Sequence, residues 1–424
     1  MSTSYKYRII CFTLILFLVW GCSAPEKKTT YGQATQELVQ LLDARPDVKS
    51  MLESSIAKAA EVNPDLNTNP VRSLEEYYDF VSWAEHAMPW TLISKEEHAD
   101  VFEDIYQGIA YFYFLIDQPL PELEGKGLHN NSLQYSEPIA SWLTTFCKSW
   151  GSYLDSEESW NEQHYQMALE DPGFGLQNGW YEDGSNWKTF NQFFSRHLKS
   201  PDVRPITESD NNSVVVSFAD SEPQGVWAID SASNLISDDG VPVKSATLRS
   251  VSALIGEGSA YQNAFAGGTF THSFLNVNDY HRYHFPVSGV VKEVRVIQGS
   301  QPIGGQLRWD KENNRYAYDP SAKTGWQVLE TRGCVIIETQ DYGLVAVLPI
   351  GMVVVSSVNF EPGVQPGAEV RKGDPLGYFA FGGSDFVVLF QKDVNFSLDA
   401  PRRENGTGYQ HILMGEKLGT LARK

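Results

Sequence analysis

The sequence predicts an α+β protein, an N-terminal helical domain followed by a mostly antiparallel β domain, and two observations carry that reading. From Tyr31 to about Trp150 apolar residues recur at helical spacing. Beyond Pro205 the chain breaks into short β-prone runs separated by Gly, Asn, Asp and Pro. The 424 residues suit two domains on the usual scale of roughly 100–200 residues each. With 42% hydrophobic and 12% aromatic residues the chain can bury a large core, which excludes a disordered or low-complexity protein.

In chain order, Lys6 and Arg8 precede an apolar run from Ile9 to Trp20, too short to span a membrane and right for the core of a signal peptide. The run ends in Leu18-Val19-Trp20-Gly21-Cys22-Ser23, which resembles a bacterial lipobox. That resemblance implies a signal peptide over residues 1–21, lipidation of Cys22, a polar tether over 22–30, and an exported protein anchored at the periplasmic or outer face of a membrane. The helical domain is expected over 31–178, with capping boxes at Ser73 with Glu76 and at Ser94 with Glu97. Ile109 to Ile116 is wholly apolar or aromatic but stops at Asp117 and Pro119, as a buried helix end does. A short amphipathic helix is expected over Thr189 to Arg196. Strands are expected at Val214–Phe218, Gly225–Ile229, Val290–Ile297, Gly333–Glu338, Leu344–Val355 and Phe386–Phe390, within a β domain over 179–424.

Formal charge is −20, from 33 basic and 53 acidic side chains, with no basic patch to release counterions from phosphate, so nucleic acid is not a partner. The acidity also opposes an anionic membrane surface. Beyond Cys22, Cys147 and Cys334 read as two buried thiols, and no disulfide is assigned.

Three segments hold residues that can do chemistry. In Asp279-Tyr280-His281-Arg282-Tyr283-His284-Phe285-Pro286 an odd separation on an extended chain points the two histidines to opposite faces, so they do different jobs. No third ligand with zinc-like spacing accompanies them, and no metal site is assigned. Phe381-Gly382-Gly383-Ser384 between apolar runs reads, by itself, as a tight turn or bulge. Ser217-Phe218-Ala219-Asp220 is a strand ending in a carboxylate, ordinarily a turn residue. Separately, His284 to Val294 and Pro366 to Gly377 look like the two halves of a barrel-sandwich hybrid, the lipoyl-like fold.

Taken in order, Thr189 to Arg196, Arg204-Pro205-Ile206, Ser217 to Asp220, Gly268-Thr269-Phe270, Asp279 to Gly289 and Phe381 to Ser384 resemble the phosphatidylserine decarboxylase family of pyruvoyl enzymes, over roughly Gly179 to Phe396. The preceding helical region is similar to the extra domain of a subgroup that includes fungal tryptophan decarboxylases. The resemblance implies that Asp220, His284 and Ser384 form an Asp-His-Ser set, with a carboxylate-oriented imidazole activating Ser384 Oγ to attack the Gly383 carbonyl. It further implies self-cleavage between Gly383 and Ser384, two chains that stay associated, and a pyruvoyl group derived from Ser384. That group would accept electrons as carbon dioxide leaves. His281 would contact substrate and His284 would return a proton. Two residues depart from the family pattern: Ser221 stands where Gly is usual, and Asp385 where Thr or Ser is common, placing a negative charge next to the bond that breaks.

Phosphatidylserine is the substrate the resemblance implies first, with an aromatic or other L-amino acid as the alternative. From other classes, a lipoyl-like binding module would need a lysine at a hairpin tip, and a cell-wall zinc peptidase would need His-x-His and His-x-x-x-Asp pairs. None of these stands at the relevant positions.

Overall fold

The computed structural model describes residues 31–89, 101–124, 131–236, 250–299, 306–319, 326–352 and 357–424. Cys22, the run before it, the tether as far as Thr30 and the Ser94/Glu97 capping box lie outside these residues.

Eight helices are α1 (Gln33–Ala44), α2 (Pro46–Val62), α3 (Leu74–Ala84), α4 (Val101–Phe114), α5 (Ile139–Leu154), α6 (Glu162–Glu170), α7 (Phe190–Phe194) and α8 (Val251–Ile255), counted among the described residues. Their buried stripes follow the spacing read in the sequence: Ala34, Leu38 and Leu42 on α1, and Ile139, Leu143, Phe146, Trp150 and Leu154 on α5. Ser73 Oγ accepts the Glu76 N–H at 3.2 Å and caps α3, a bond worth about 1 kcal/mol. The Glu76 carboxylate reaches past Ser73 to the Arg72 N–H at 2.7 Å, so the box closes one residue early. Thr189 caps α7 in the same way, through the Gln192 N–H at 3.2 Å.

The strands are β1 (Val214–Val216), β2 (Glu222–Ala228), β3 (Thr269–Leu275), β4 (Arg282–His284), β5 (Gly289–Ile297), β6 (Gln306–Asp310), β7 (Arg315–Asp319), β8 (Thr331–Glu338), β9 (Leu344–Met352), β10 (Asn359–Phe360), β11 (Glu369–Val370), β12 (Pro375–Tyr378), β13 (Gly383–Phe390), β14 (Val394–Leu398) and β15 (Lys417–Arg423). A seven-stranded sheet runs β11-β5-β8-β9-β13-β3-β2; two three-stranded sheets run β1-β15-β14 and β10-β12-β4; β6 and β7 form a hairpin. Every pairing is antiparallel. The α+β class is therefore the one the sequence predicts. The two candidate half-barrels do pair with each other, Pro375 opposite His284 and Glu369 opposite Val290. Among the described strands, however, the sheets keep free edges and no closed barrel forms.

One hydrophobic core runs across the 178/179 boundary. The β6–β7 hairpin, which the sequence reading left unassigned, lies against α4. Gln107 brackets Tyr316, donating to its carbonyl at 2.9 Å and accepting its N–H at 2.7 Å. The Tyr316 hydroxyl donates to the Thr68 carbonyl at 2.7 Å. Cys147 and Cys334 are free buried thiols; burial pushes Cys334 up to about 12 and Cys147 well above its ordinary value. No helix among the described residues is long and apolar enough to cross a membrane.

Candidate active site

Strand β13 lies in the interior of the large sheet, with Ser384 opposite Leu275 of β3 on one side and Gly351 of β9 on the other. Side chains alternate along a strand, so Ser384 and Phe386 share one face and Asp385 takes the other. On the Ser384 face, the Phe386 ring stacks on Phe218 with centroids 3.8 Å apart, and Tyr283 meets it edge-on at 5.6 Å. These contacts hold the segment that leads to Asp220, and β4, which carries His284, against the face that carries Ser384. Ser384 Oγ is fully buried and has no hydrogen-bond partner.

The approach to Ser384 is fixed from the helical side. Phe381 donates its N–H to Asn191 Oδ1 on α7 at 2.9 Å, and its ring packs edge-on to Phe190, Phe194 and Trp150 at 5.2–5.5 Å. Gly382 follows with φ at 146°, a conformation side chains other than hydrogen rarely adopt.

His281 and His284 do have different surroundings. The His281 ring stacks on Phe194 at 3.8 Å, and its Nδ1 lies 2.9 Å from the Asp279 carbonyl. Its Nε2 is buried without a partner, and its own carbonyl accepts the Phe379 N–H at 2.9 Å, which ties it to the segment entering β13. Burial, reinforced by the Arg196 guanidinium, pushes the His281 pKa well below the usual histidine range.

His284 Nδ1 lies 2.9 Å from the Gly373 carbonyl, which can only accept, so Nδ1 carries the proton and Nε2 presents its lone pair. The Tyr280 hydroxyl sits 3.2 Å from that Nε2 as donor. Gly373 has φ 88°, and a Cβ there would stand 2.4 Å from Ile206 Cδ1, so glycine lets this turn pack against Ile206. Burial lowers the His284 pKa, and the Gly373 carbonyl and the Asp220 charge only partly oppose it. Both imidazoles are therefore neutral at pH 7. His284 lines a cavity of about 360 Å³ together with Arg204, Tyr280, Arg282, Glu361 and Met414; Ser384 is not on its wall.

Asp220 makes no hydrogen bond to His284 in this structure, where the resemblance implied a carboxylate-oriented imidazole. Its carboxylate accepts from Arg204 Nη2 at 2.9 Å, Arg204 Nε at 3.4 Å and the Met414 N–H at 2.8 Å. Both side chains of this ion pair are at most 4% exposed. A buried guanidinium needs a counter-charge and offers a two-point match to a carboxylate, so it takes the oxygens an imidazole would use. Burial alone would lower the Arg204 pKa, but the Asp220 carboxylate outweighs it and raises it. Asp220 still acts on His284 through its charge. Asp220 and His284 thus meet through Arg204 and charge at the cavity, while Ser384 Oγ is bonded to none of Asp220, His281 and His284. Arg204, Tyr280 and Gly373 are site residues that sequence reasoning missed. Arg204 stood inside a recognised segment, but nothing local marked it as a counter-ion.

Asp385 departs from expectation in a second way. Its charge lies across the sheet from the Ser384 hydroxyl, where it accepts from Gln327 Nε2 at 3.0 Å and the Phe386 N–H at 2.8 Å and pairs with His272 Nδ1 at 3.0 Å. Among the described residues no group of three or more His, Cys, Asp or Glu side chains is placed to hold a metal.

The family model for phosphatidylserine decarboxylase matches residues 190–420. The chain is 30% identical over 246 residues to phosphatidylserine decarboxylase proenzyme 2 of Oryza sativa subsp. japonica, covering 56% of this chain and 35% of that protein. It is 27% identical over 300 residues to the phosphatidylserine decarboxylase proenzyme of Chlamydia felis, covering 68% and 90%. Over 243 residues it is 27% identical to the L-tryptophan decarboxylase of Psilocybe cubensis, covering 52% and 50%. The chain therefore spans about a third of the length of the rice protein and most of the chlamydial one.

Proposed function

The chain belongs to the phosphatidylserine decarboxylase family, and on that premise we propose that it cleaves itself between Gly383 and Ser384 and works as a pyruvoyl-dependent decarboxylase of phosphatidylserine. The observation that carries this reading is Ser384 Oγ, buried and unpartnered directly after Gly382 and Gly383. A buried hydroxyl without a partner costs about 1–3 kcal/mol, a penalty expected where the group is kept for reaction rather than for stability.

In this reading Ser384 Oγ attacks the Gly383 carbonyl and gives up its proton to Nε2 of His284, displacing the Tyr280 hydroxyl that donates to it. The Gly383–Ser384 C–N bond then breaks as the Ser384 nitrogen takes that proton, leaving an ester at Oγ. The hydroxyl and imidazole are not hydrogen-bonded in the structure, so the attack follows a local rearrangement that the glycines permit. The ester then loses the Ser384 Cα proton to a base as its Cβ–Oγ bond breaks, leaving a carboxylate on Gly383 and a dehydroalanine at 384. Water replaces the dehydroalanine nitrogen, which departs as ammonia, and leaves a ketone. A buried, glycine-flanked Ser384 fits a pyruvoyl group made in place, which when formed supplies the carbonyl electron sink for loss of carbon dioxide. His281 Nε2, neutral and unpartnered, is suited to contact substrate, and His284 to return a proton to the substrate carbon. Because β13 is paired on both sides, the two product chains are expected to remain together.

The test is mass analysis of the purified protein followed by incubation with phosphatidylserine vesicles and with the standard amino acids. Fragments 384–424 bearing a ketone in place of the Ser384 amine, and carbon dioxide from phosphatidylserine, support the proposal. An intact chain overturns it. Carbon dioxide from an aromatic amino acid alone would favour the second reading, which rests on the likeness to the Psilocybe enzyme.

His284 must be neutral to accept a proton. Since its pKa is lowered from the ordinary value of about 6.5, the cleavage rate should be flat above pH 7. It should fall tenfold per pH unit only at more acid values, below the folded-state pKa. Timed gels across pH check this; a midpoint above 7 would contradict the assignment.

We also propose a lipid anchor at Cys22, on the strength of the lipobox-like run from Leu18 to Ser23. Two or more acyl chains exceed the single chain that binds only marginally. Cys22→Ser should move the protein to the soluble fraction, or stall it with its signal attached, without affecting the Gly383–Ser384 bond. Membrane fractionation decides: retention of a signal-cleaved mutant equal to wild type would remove the anchor.

A further inference from the structure

Cleavage before Ser384 would turn the first pairing positions of β13, a strand flanked on both sides in the sheet, into a chain end. Chain ends fray unless they are tied down. A pyruvoyl group at 384 has neither N–H nor hydroxyl, so Asp385 is the first residue of the new chain with a side chain and an N–H to hold it. That residue is held unusually well. Asp385 is fully buried, and its carboxylate engages His272 of β3, Gln327 from the turn before β8, and the N–H of Phe386. His272 is itself fixed, its ring stacked on Trp227 of β2 at 4.9 Å. The register makes the pairing specific: Val387 stands opposite His272, so Asp385, two residues back, shares its face. All of this lies across the sheet from the face that carries Ser384, leaving that face free for chemistry.

We propose that Asp385 is a positioning residue that keeps the new end of β13 seated in the sheet after the bond breaks, with His272 and Gln327 as its anchor. The proposal rests on cleavage at Gly383–Ser384. It gives the departure from Thr or Ser at this position a role in the mature protein rather than in the cleavage step. The negative charge is not a hindrance to the bond, because His272 and Gln327 on the far face and the Phe386 main-chain N–H take it up.

The experiment compares wild type, Asp385→Ala, Asp385→Asn and His272→Leu, each also in a Ser384→Ala background that cannot be cut. Three quantities are read: the fraction cleaved, the ketone content of the denatured small chain by phenylhydrazine adduct mass, and amide hydrogen exchange over residues 385–388. In the cleaved protein Asp385→Ala should retain cleavage and ketone while protection over 385–388 falls at least tenfold. Decarboxylation kcat should fall more than KM rises. His272→Leu should act in the same direction and less strongly, and Asp385→Asn, which still accepts hydrogen bonds, should restore most of the protection. In the uncut background the same substitutions should change protection by less than threefold. Equal protection in cleaved wild type and cleaved Asp385→Ala overturns the proposal, as does an equal loss in cut and uncut chains, which would mean ordinary strand stability. Abolished cleavage in both Asp385→Ala and Asp385→Asn also overturns it, by placing Asp385 in the cutting step. An uncleaved wild type would instead sink the underlying reading, and is distinguishable because no variant would then matter.

Discussion

Ser384→Ala is expected to yield a single uncut chain with no decarboxylase activity, a complete loss rather than a reduction, because the substitution removes both the nucleophile and the atoms from which the ketone is built. The same change should not harm the fold. Ser384 Oγ is buried without a partner, so its removal deletes an unsatisfied polar atom whose burial costs about 1–3 kcal/mol and leaves a void smaller than a methyl group. The thermal midpoint should therefore hold or rise while processing stops. Ser384→Cys, which keeps a nucleophile of similar size, should cut slowly. Gels and intact mass read both variants, and a normally processed Ser384→Ala would end the assignment.

Asp220→Ala is expected to be the most damaging substitution to stability at the site. It strands the Arg204 guanidinium in a place where both partners are almost wholly buried. Breaking one side of such a pair costs about 3–5 kcal/mol, a large share of the roughly 5–15 kcal/mol that holds a protein folded. The apolar double replacement Asp220→Leu with Arg204→Met removes both charges and should recover most of that loss. Cleavage should not recover with it if Asp220 also acts on His284 through its charge. Denaturant unfolding in the Ser384→Ala background measures the first effect free of processing, and timed gels measure the second. Wild-type cleavage by the double variant would reduce Asp220 to a structural counter-ion.

How much was legible in the sequence follows from the range of each signal. Capping at Ser73, the apolar stripes of α1 and α5, and the runs that became β5, β8, β9 and β13 are local patterns, and they read correctly. Arg315 to Asp319 did not read as a strand, since its hairpin is stabilised by Gln107 and Thr68, more than 200 positions away. The histidines were separable by spacing alone. Their partners were not: the Gly373 carbonyl that sets the His284 tautomer is a backbone atom 89 positions downstream, and backbone atoms have no sequence signature. His272 and Asp385 are 113 positions apart, and only the strand register shows that they meet.

The pairing of β1 with β15 has a consequence in time. A ribosome delivers the chain from its N-terminal side, so β1 waits, unpaired along this edge, until residues 417–423 have been made. Asp220 waits likewise for the N–H of Met414, and β13 itself lies between strands synthesised before it. Such distant pairings are slow to form because the loop-closure entropy falls due before the contacts return anything. The edge that carries β1 and the surroundings of Asp220 are thus among the last parts of the molecule to be completed. A chain interrupted before residue 414 lacks the N–H that Asp220 accepts, and holds the Asp220–Arg204 pair without its third partner.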